Sequence, residues 1–246
     1  MSSSISDNSE YPEVCLWAAT TEAGFLNFKR NPVYNGILEH VTYEEGIEYI
    51  QQFISNTDIT SNIEKFKIND KLGNPVKYNF PNFGEFSPTT LRYIKILNDL
   101  SQLDLNDKHI VEIGAGYGGQ YTVLRQLFKP RKYTFVDLDS VTKLIKKYVT
   151  SLELNDIPLD FIDGTQLTES ISSDLVISNY AFSECDFKIQ DMYIEKILRN
   201  TKHCYMLYNN FNGYKHNELI KILNQSNIRI SKEMPQTHPS NVLLTW

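Results

Sequence analysis

Glu112-Ile113-Gly114-Ala115-Gly116-Tyr117-Gly118-Gly119 sets an acid two residues ahead of a run holding four glycines in six positions. Glycines at that density let a backbone turn sharply and let a ligand approach without meeting a Cβ. In an open α/β sheet, ligands bind beyond the carboxyl ends of the strands, the place a strand-to-helix loop of this kind occupies. Gly114, Gly116 and Gly119 satisfy the dinucleotide G-x-G-x-x-G spacing, so the loop alone is open to a nicotinamide cofactor. Glu112 points the other way. A carboxylate is repelled by a pyrophosphate, whereas it suits a ligand carrying an ammonium and a sulfonium. No tyrosine of this chain is followed by the Tyr-x-x-x-Lys lysine expected of short-chain dehydrogenases.

These residues need a frame. The chain has 246 residues, 24 Lys+Arg against 30 Asp+Glu, a formal net charge of -6 and 41% hydrophobic residues, the composition of a folded soluble domain. The length suits one core of roughly 150 residues plus a smaller appendage. The acidic balance argues against a nucleic-acid backbone as partner. No apolar run approaches the ~18 residues of a membrane span, and the start of the chain lacks the basic and apolar stretches of a secretory signal. Cys15, Cys185 and Cys204 form no Cys-x-x-Cys pair, and an odd count builds no disulfide framework, so a reducing, cytoplasmic setting is expected.

Residues 1–10, rich in serine, read as a disordered tail, 11–105 as a mainly helical front, and 106–246 as an α/β domain. In the front, Asn31-Pro32-Val33-Tyr34-Asn35-Gly36 is turn chemistry, and Thr42 with Glu45 suits a capping box ahead of an apolar face of Ile47, Ile50, Phe53 and Ile54. Loops are expected at 69–75 and 82–86. Ser87-Pro88 starts a helix with Leu91, Ile94, Leu97 and Leu100 as its buried stripe. From His109 the chain alternates. Strands are expected at 109–113, 133–136, 159–162, 174–178 and 203–208, with helices at 118–128, 141–150, 190–200 and 214–223. That order implies a parallel sheet with helices on both faces. The last two strands, 228–230 and 242–245, leave no room for a helix and should form an antiparallel hairpin, with the final strand inserted at the sheet edge.

The pattern E-x-G-x-G-x-G in a sheet of seven strands ending in a hairpin resembles the class I S-adenosylmethionine (SAM)-dependent methyltransferases, over roughly 107–246. The resemblance implies a Rossmann-like seven-stranded sheet and SAM as cofactor, held by Glu112, Gly114, Ala115, Gly116, Tyr117 and Gly119. It further implies an acid after the second sheet strand for the ribose hydroxyls, which is Asp137 beside Leu138, and contacts to the adenine amino group from Asp163-Gly164. The whole chain, front included, also resembles the sugar O-methyltransferase family. The segments behind this are Asn31-Pro32-Val33-Tyr34 with Leu38-Glu39-His40, Ser87 to Tyr93, Ile113 to Gln120, and Ser178 to Glu184. It implies a sugar or nucleotide-sugar substrate, no nucleic acid and no membrane, and is compatible with a homodimer. Through it Asn31, Tyr34 and His40 become candidate substrate contacts, each with an ordinary turn or packing role open to it.

Methyl transfer is an in-line displacement that rewards holding the acceptor at near-attack distance. A sugar hydroxyl is a poor nucleophile until it loses its proton, so a general base or a metal should help. In this fold the fourth sheet strand ends at the reaction centre. Asn179 and Tyr180 would lie along the methionine moiety, and Glu184 is the first carboxylate beyond them, a candidate base. His216 and His238 are further candidates, the latter in the tip of the last hairpin, whereas His109 and His203 begin expected buried strands and read as structural. Glu184 with Asp186 could offer oxygens to a divalent cation such as Mg2+, but two acids in one loop do not make a site. Lys143, Lys146 and Lys147 read as a solvated helix face.

Overall fold

The computed structural model describes residues 10–225 and 227–246, so the tail expected over 1–10 lies, Glu10 apart, outside the described residues. The front opens on Tyr11–Thr20 (α1) and Glu22–Asn27 (α2), the latter capped by Thr21 accepting from the Gly24 N–H. Asn31 accepts from the Val33 and Tyr34 N–H groups and starts Pro32–Tyr34 (α3), which widens into a π turn over Asn35–Glu39. Thr42 and Glu45 form the reciprocal capping box of Tyr43–Phe53 (α4). That helix buries Gly46, Tyr49, Ile50 and Phe53. Ile54, expected on the same face, is exposed because the helix ends before it. Thr57–Thr60 (α5) and a 3-10 stretch, Ile63–Asp70, follow. The stretch 82–86, expected as a loop, is part of a hairpin in which Tyr78–Phe80 (β1) pairs with Gly84–Phe86 (β2); three residues are too few for alternation to announce a strand.

Ser87 Oγ accepts from the Thr90 N–H and starts Pro88–Leu100 (α6). The expected apolar stripe is buried, but so are Arg92, Tyr93 and Lys95. The helix packs on α4 and also on Gly119–Leu124 (α7), so it has almost no solvent face. Lys95 answers its burial by pairing with Asp99 at 2.8 Å.

The sheet begins with His109–Ile113 (β3), ahead of α7, and continues with Lys132–Asp137 (β4), Asp139–Ser151 (α8), Leu159–Asp163 (β5) and Ser173–Asn179 (β6). Ala181–Glu184 (α9), Phe187–Lys196 (α10), Thr201–Tyr208 (β7), His216–Leu223 (α11), Arg229–Lys232 (β8) and Val242–Thr245 (β9) complete it. The strand order is β5-β4-β3-β6-β7-β9-β8, with β9 antiparallel to both neighbours and the rest parallel. This is a Rossmann-like, mostly parallel seven-stranded sheet with helices on both faces, the architecture that the resemblance implies. The closing hairpin is antiparallel as expected, but the final strand is not outermost. Inserted between β7 and β8, β9 leaves β8 at the edge with all four residues exposed. The winding reverses at β3, which opens a crevice beyond its carboxyl end.

Alternation along β3 and β4 divides the core. Ile110, Tyr133 and Phe135 join one cluster with Tyr11, Phe28 and Tyr34 of the front, so front and sheet share a single apolar body. Val111, Ile113 and Val136 face the other way, toward Ile189, Ile194 and Leu219 of α10 and α11. Lys147, expected on a solvated face, instead donates to the carbonyls of Ala18 and Thr21 and satisfies the end of α1. His109 is structural as expected, its ring held by the Ser172 carbonyl and Thr134 Oγ1, whereas His203 is exposed. Among the described residues no helix is long and apolar enough to cross a membrane.

Candidate active site

The glycine loop leaves β3 in the left-handed region, with φ of +74° at Gly114 and +58° at Gly116, conformations that cost other residues about 1–2 kcal/mol. Both glycines also admit neighbours. A Cβ on Gly114 would collide with the Ala181 Cβ, and one on Gly116 would sit 2.8 Å from Leu38 Cδ1. The loop is thus clasped between the start of α9 and the helical front. Tyr117 turns inward and lies fully buried, with Lys29 Nζ 4.0 Å from its ring centroid and its hydroxyl accepting from Asn69 Nδ2. Gly119 backs onto the Tyr93 ring.

Beyond the loop lies a cavity of about 460 Å³, inside the range of small-molecule sites. Of the residues singled out from the sequence, Glu112, Gly114, Ala115, Gly116, Asp137, Leu138, Asn179, Tyr180, Glu184 and His238 border it. Tyr117, Gly119, Asp163, Gly164 and His216 are not among its walls. Asp163 Oδ1 accepts from the N–H and hydroxyl of Thr165, an Asx turn that holds Thr165 at the rim. His216 is engaged by Asn210 Oδ1 through both its backbone N–H and its ring. Of the resemblance candidates in the front, His40 borders the cavity, Asn31 caps α3, and Tyr34 is fully buried in the core.

The acids divide by environment. Glu112 is 2% exposed, on the same sheet face as Tyr133, whose hydroxyl donates to its Oε2 at 2.7 Å. Burial pushes its carboxyl up to about 8; the Tyr133 hydrogen bond opposes this and the charge of Asp137 adds to it. A carboxyl raised this far holds its proton more tightly in the folded chain than in the unfolded one. Its contribution to stability is therefore complete below the unfolded value, near 4.5, and is lost as pH rises through about 8. Glu112→Gln should therefore flatten the fall in the melting temperature of the ligand-free protein between pH 6 and pH 9, seen as parallel thermal scans. Scans that keep the wild-type pH slope would place the titration elsewhere.

Asp137 ends β4 with Oδ2 accepting from the Gly116 N–H at 3.0 Å and Oδ1 from the Leu138 N–H at 2.8 Å. At the end of β6, Tyr180 is held at φ +69° with its N–H on the Leu207 carbonyl. Its hydroxyl donates to Glu233, a buried acid of the β8–β9 connection that also accepts from Thr237 and Asn241. Left-handed non-glycine residues concentrate at functional turns. Asn179 Oδ1 is buried with no partner among the described residues.

Glu184 Oε1 accepts from Asn209 Nδ2 at 2.9 Å, and Asn209 is itself fixed by Ser183 Oγ donating to its Oδ1 at 2.8 Å. Burial raises the Glu184 carboxyl, with the Asn209 hydrogen bond opposing. Asp186 spends its Oδ1 on the Ile189 N–H as the cap of α10. Among the described residues no group of three or more His, Cys, Asp and Glu side chains is gathered for a metal ion. His238 is exposed at the mouth beside Phe211, ring centroids 5.8 Å apart.

Sequence reading did not single out Arg92, Asn209 or Glu233 as site residues. A charge inside the apolar run of α6 was the only available signal for the first. Glu233 and Asn209 carry none, because the bonds that place them come from segments far away in the chain.

No family model matches this chain, and no curated protein matches it. Solved structures similar to it include an O-methyltransferase family protein from Burkholderia thailandensis, at 12% identity and a TM-score of 0.44. The match covers 61% of this chain and 54% of that one, so this chain spans about half the length of the Burkholderia protein. A SAM-dependent methyltransferase from Aquifex aeolicus is 13% identical with a TM-score of 0.47, covering 62% and 87% of the two chains. An rRNA methylase from Streptococcus thermophilus is 16% identical with a TM-score of 0.46, covering 63% and 95%.

Proposed function

We propose that this protein is a SAM-dependent O-methyltransferase acting on a hydroxyl of a sugar or nucleotide sugar. The observation that carries the reading is that two acids, Glu112 near the end of β3 beside the glycine turn and Glu184 in α9 just after β6, border one cavity at the switch point of the sheet. The residues fit the cofactor. Glu112 offers a buried carboxyl that a neighbouring cation would ionise, and Asp137 borders the cavity at the end of β4 while its hydrogen bond to the Gly116 N–H shapes the loop. Leu138 and Thr165 continue the wall beyond Asp137. When bound, SAM supplies a methyl group on a positively charged sulfur. Glu184 takes the proton of the acceptor hydroxyl. Asn209 occupies one of its oxygens and leaves the other available, and burial brings its basicity closer to working pH, which favours general-base catalysis. Tyr180, locked in place by Glu233, presents a fixed wall against which the acceptor is aligned.

A sugar acceptor is supported by the rim: Thr237, His238 and Asn241 offer hydrogen-bonding groups, and Phe211, 60% exposed, offers an apolar face. Among the described residues the walls also hold Glu45, Glu112, Asp137 and Glu184 with Arg92 as their single Lys or Arg, which favours a compact acceptor over a nucleic-acid backbone. Three buried cysteines, none in a disulfide among the described residues, suit a reducing, cytoplasmic setting.

Calorimetry with SAM, S-adenosylhomocysteine (SAH) and NAD tests the cofactor. SAM and SAH should bind and NAD should not; NAD binding with SAM ignored would overturn the reading. Asp137→Ala should weaken SAH by about tenfold or more, the loss of charged hydrogen bonds to the ribose. An unchanged affinity would remove Asp137 from the ribose. The acceptor is then identified from the product, by mass and NMR linkage, after incubation with candidate sugars.

A further inference from the structure

Among the described residues Arg92 forms no ion pair, although acids line the cavity it borders. It is 8% exposed, borders the cavity, and projects from the buried helix α6. Its Nη2 donates to the Leu38 carbonyl at 3.1 Å, while its Nε is buried with no partner among the described residues. The phenols of Tyr93, Tyr49 and Tyr180 surround it, and Glu39 is the acid whose charge it feels. Glu39 in turn answers to Lys29 before Arg92. The other buried cations nearby are accounted for: Lys29 donates to the Asn69 carbonyl at 2.8 Å and lies over Tyr117, and Lys95 pairs with Asp99.

A buried charge is costly unless it is paired and hydrogen-bonded. A guanidinium carries five N–H donors in a planar fork that matches the two oxygens of a carboxylate or phosphate. Here the Leu38 carbonyl and the Tyr93 phenol take donors, both of them neutral acceptors, and the Leu38 contact fixes the side chain rather than neutralising it. The same contact ties it to the glycine loop, since Leu38 covers Gly116 with its side chain, and Tyr180 at the end of β6 is among its neighbours.

We propose that Arg92 is the anion-binding residue of this cavity, taking the paired oxygens of a carboxylate or phosphate on a bound molecule. The inference rests on the methyl-transfer reading, within which that group has two sources. One is the aminoacyl carboxylate of the cofactor; the other is an acidic group on the acceptor, such as a uronic carboxylate or a sugar phosphate.

The test uses the full chain with Arg92→Met, which keeps bulk and removes charge, and Arg92→Lys, which keeps charge and removes the fork. Thermal melts first establish that each variant folds; should the Met variant not fold, the Lys variant carries the comparison. SAH and its decarboxylated analogue are titrated, and pyrophosphate is titrated with and without saturating SAH. If the cofactor is the source, Arg92→Met weakens SAH by about tenfold or more and leaves the decarboxylated analogue unchanged. If the acceptor is the source, both cofactor analogues bind as before and pyrophosphate binding falls by about tenfold or more. The Lys variant should fall between wild type and Met. Equal losses for SAH and its decarboxylated analogue, or no change in SAH and pyrophosphate binding alike, would overturn the proposal. A wild-type protein that ignores SAH altogether would instead remove the methyl-transfer reading, leaving the pyrophosphate comparison to judge Arg92 alone.

Discussion

Glu184→Gln is expected to lower turnover by about 10²–10⁴-fold, the range that a positioned general base contributes, while SAH affinity stays within about twofold. The glutamine keeps an oxygen that can accept from Asn209 Nδ2, so the wall of the cavity is preserved and only the proton acceptor is lost. The pH dependence follows from the same environment. Burial raises the Glu184 carboxyl, and the carboxylate, not the acid, takes the proton, so the wild-type rate should rise with pH through that raised value. The variant should lose this rising limb along with its rate. A variant that keeps wild-type turnover at saturating SAM and acceptor would place the base elsewhere, with His238, at the mouth, the next group to substitute.

Gly114→Ala should damage both the fold and the site. Its φ of +74° costs a residue with a Cβ about 1–2 kcal/mol. The added methyl also meets the Ala181 Cβ, an overpacking strain of about 1–3 kcal/mol. Together these predict a loss of about 2–5 kcal/mol, or about 4–20 °C in melting temperature for a chain of this size. SAH binding should be lost with them, because the loop cannot keep its turn while moving away from α9. The two costs can be separated. Ala181→Gly in the same chain removes the methyl that is met and should recover the packing part, leaving the backbone part behind, which a double-mutant cycle reads directly. A single variant melting at the wild-type temperature would show that the loop relaxes freely.

Much of this architecture was legible from local pattern. The capping box at Thr42 and Glu45, the serine cap of α6, the glycine turn after β3 and the positions of the parallel strands are all visible in stretches of a few residues. Each depends on backbone chemistry between near neighbours in the chain. The errors fall where that reasoning lacks information. Ile54 continues the apolar face of α4 by spacing, but the helix ends first. The β1–β2 hairpin is too short to show a period. The final strand looks like an edge strand by its position in the chain, yet β9 sits inside β8, since pairing follows the turn of the hairpin and not chain order.

The site divides the same way. The amino-acid sequence by itself determined that an acid precedes a glycine turn, that Asp137 ends the next strand, and that Asn179, Tyr180 and Glu184 follow the fourth strand of the large sheet, because those placements are consequences of strand and helix periods. Only the tertiary structure decided that Tyr117 and Gly119 face the core, that Asn209 fixes Glu184, that Glu233 holds Tyr180, and that Arg92 borders the cavity with its Nε unpartnered among the described residues. These are contacts between side chains on segments remote in the chain. Their partners are chosen by how α6, the front and the closing hairpin pack around the sheet, and local periodicity carries no record of that choice.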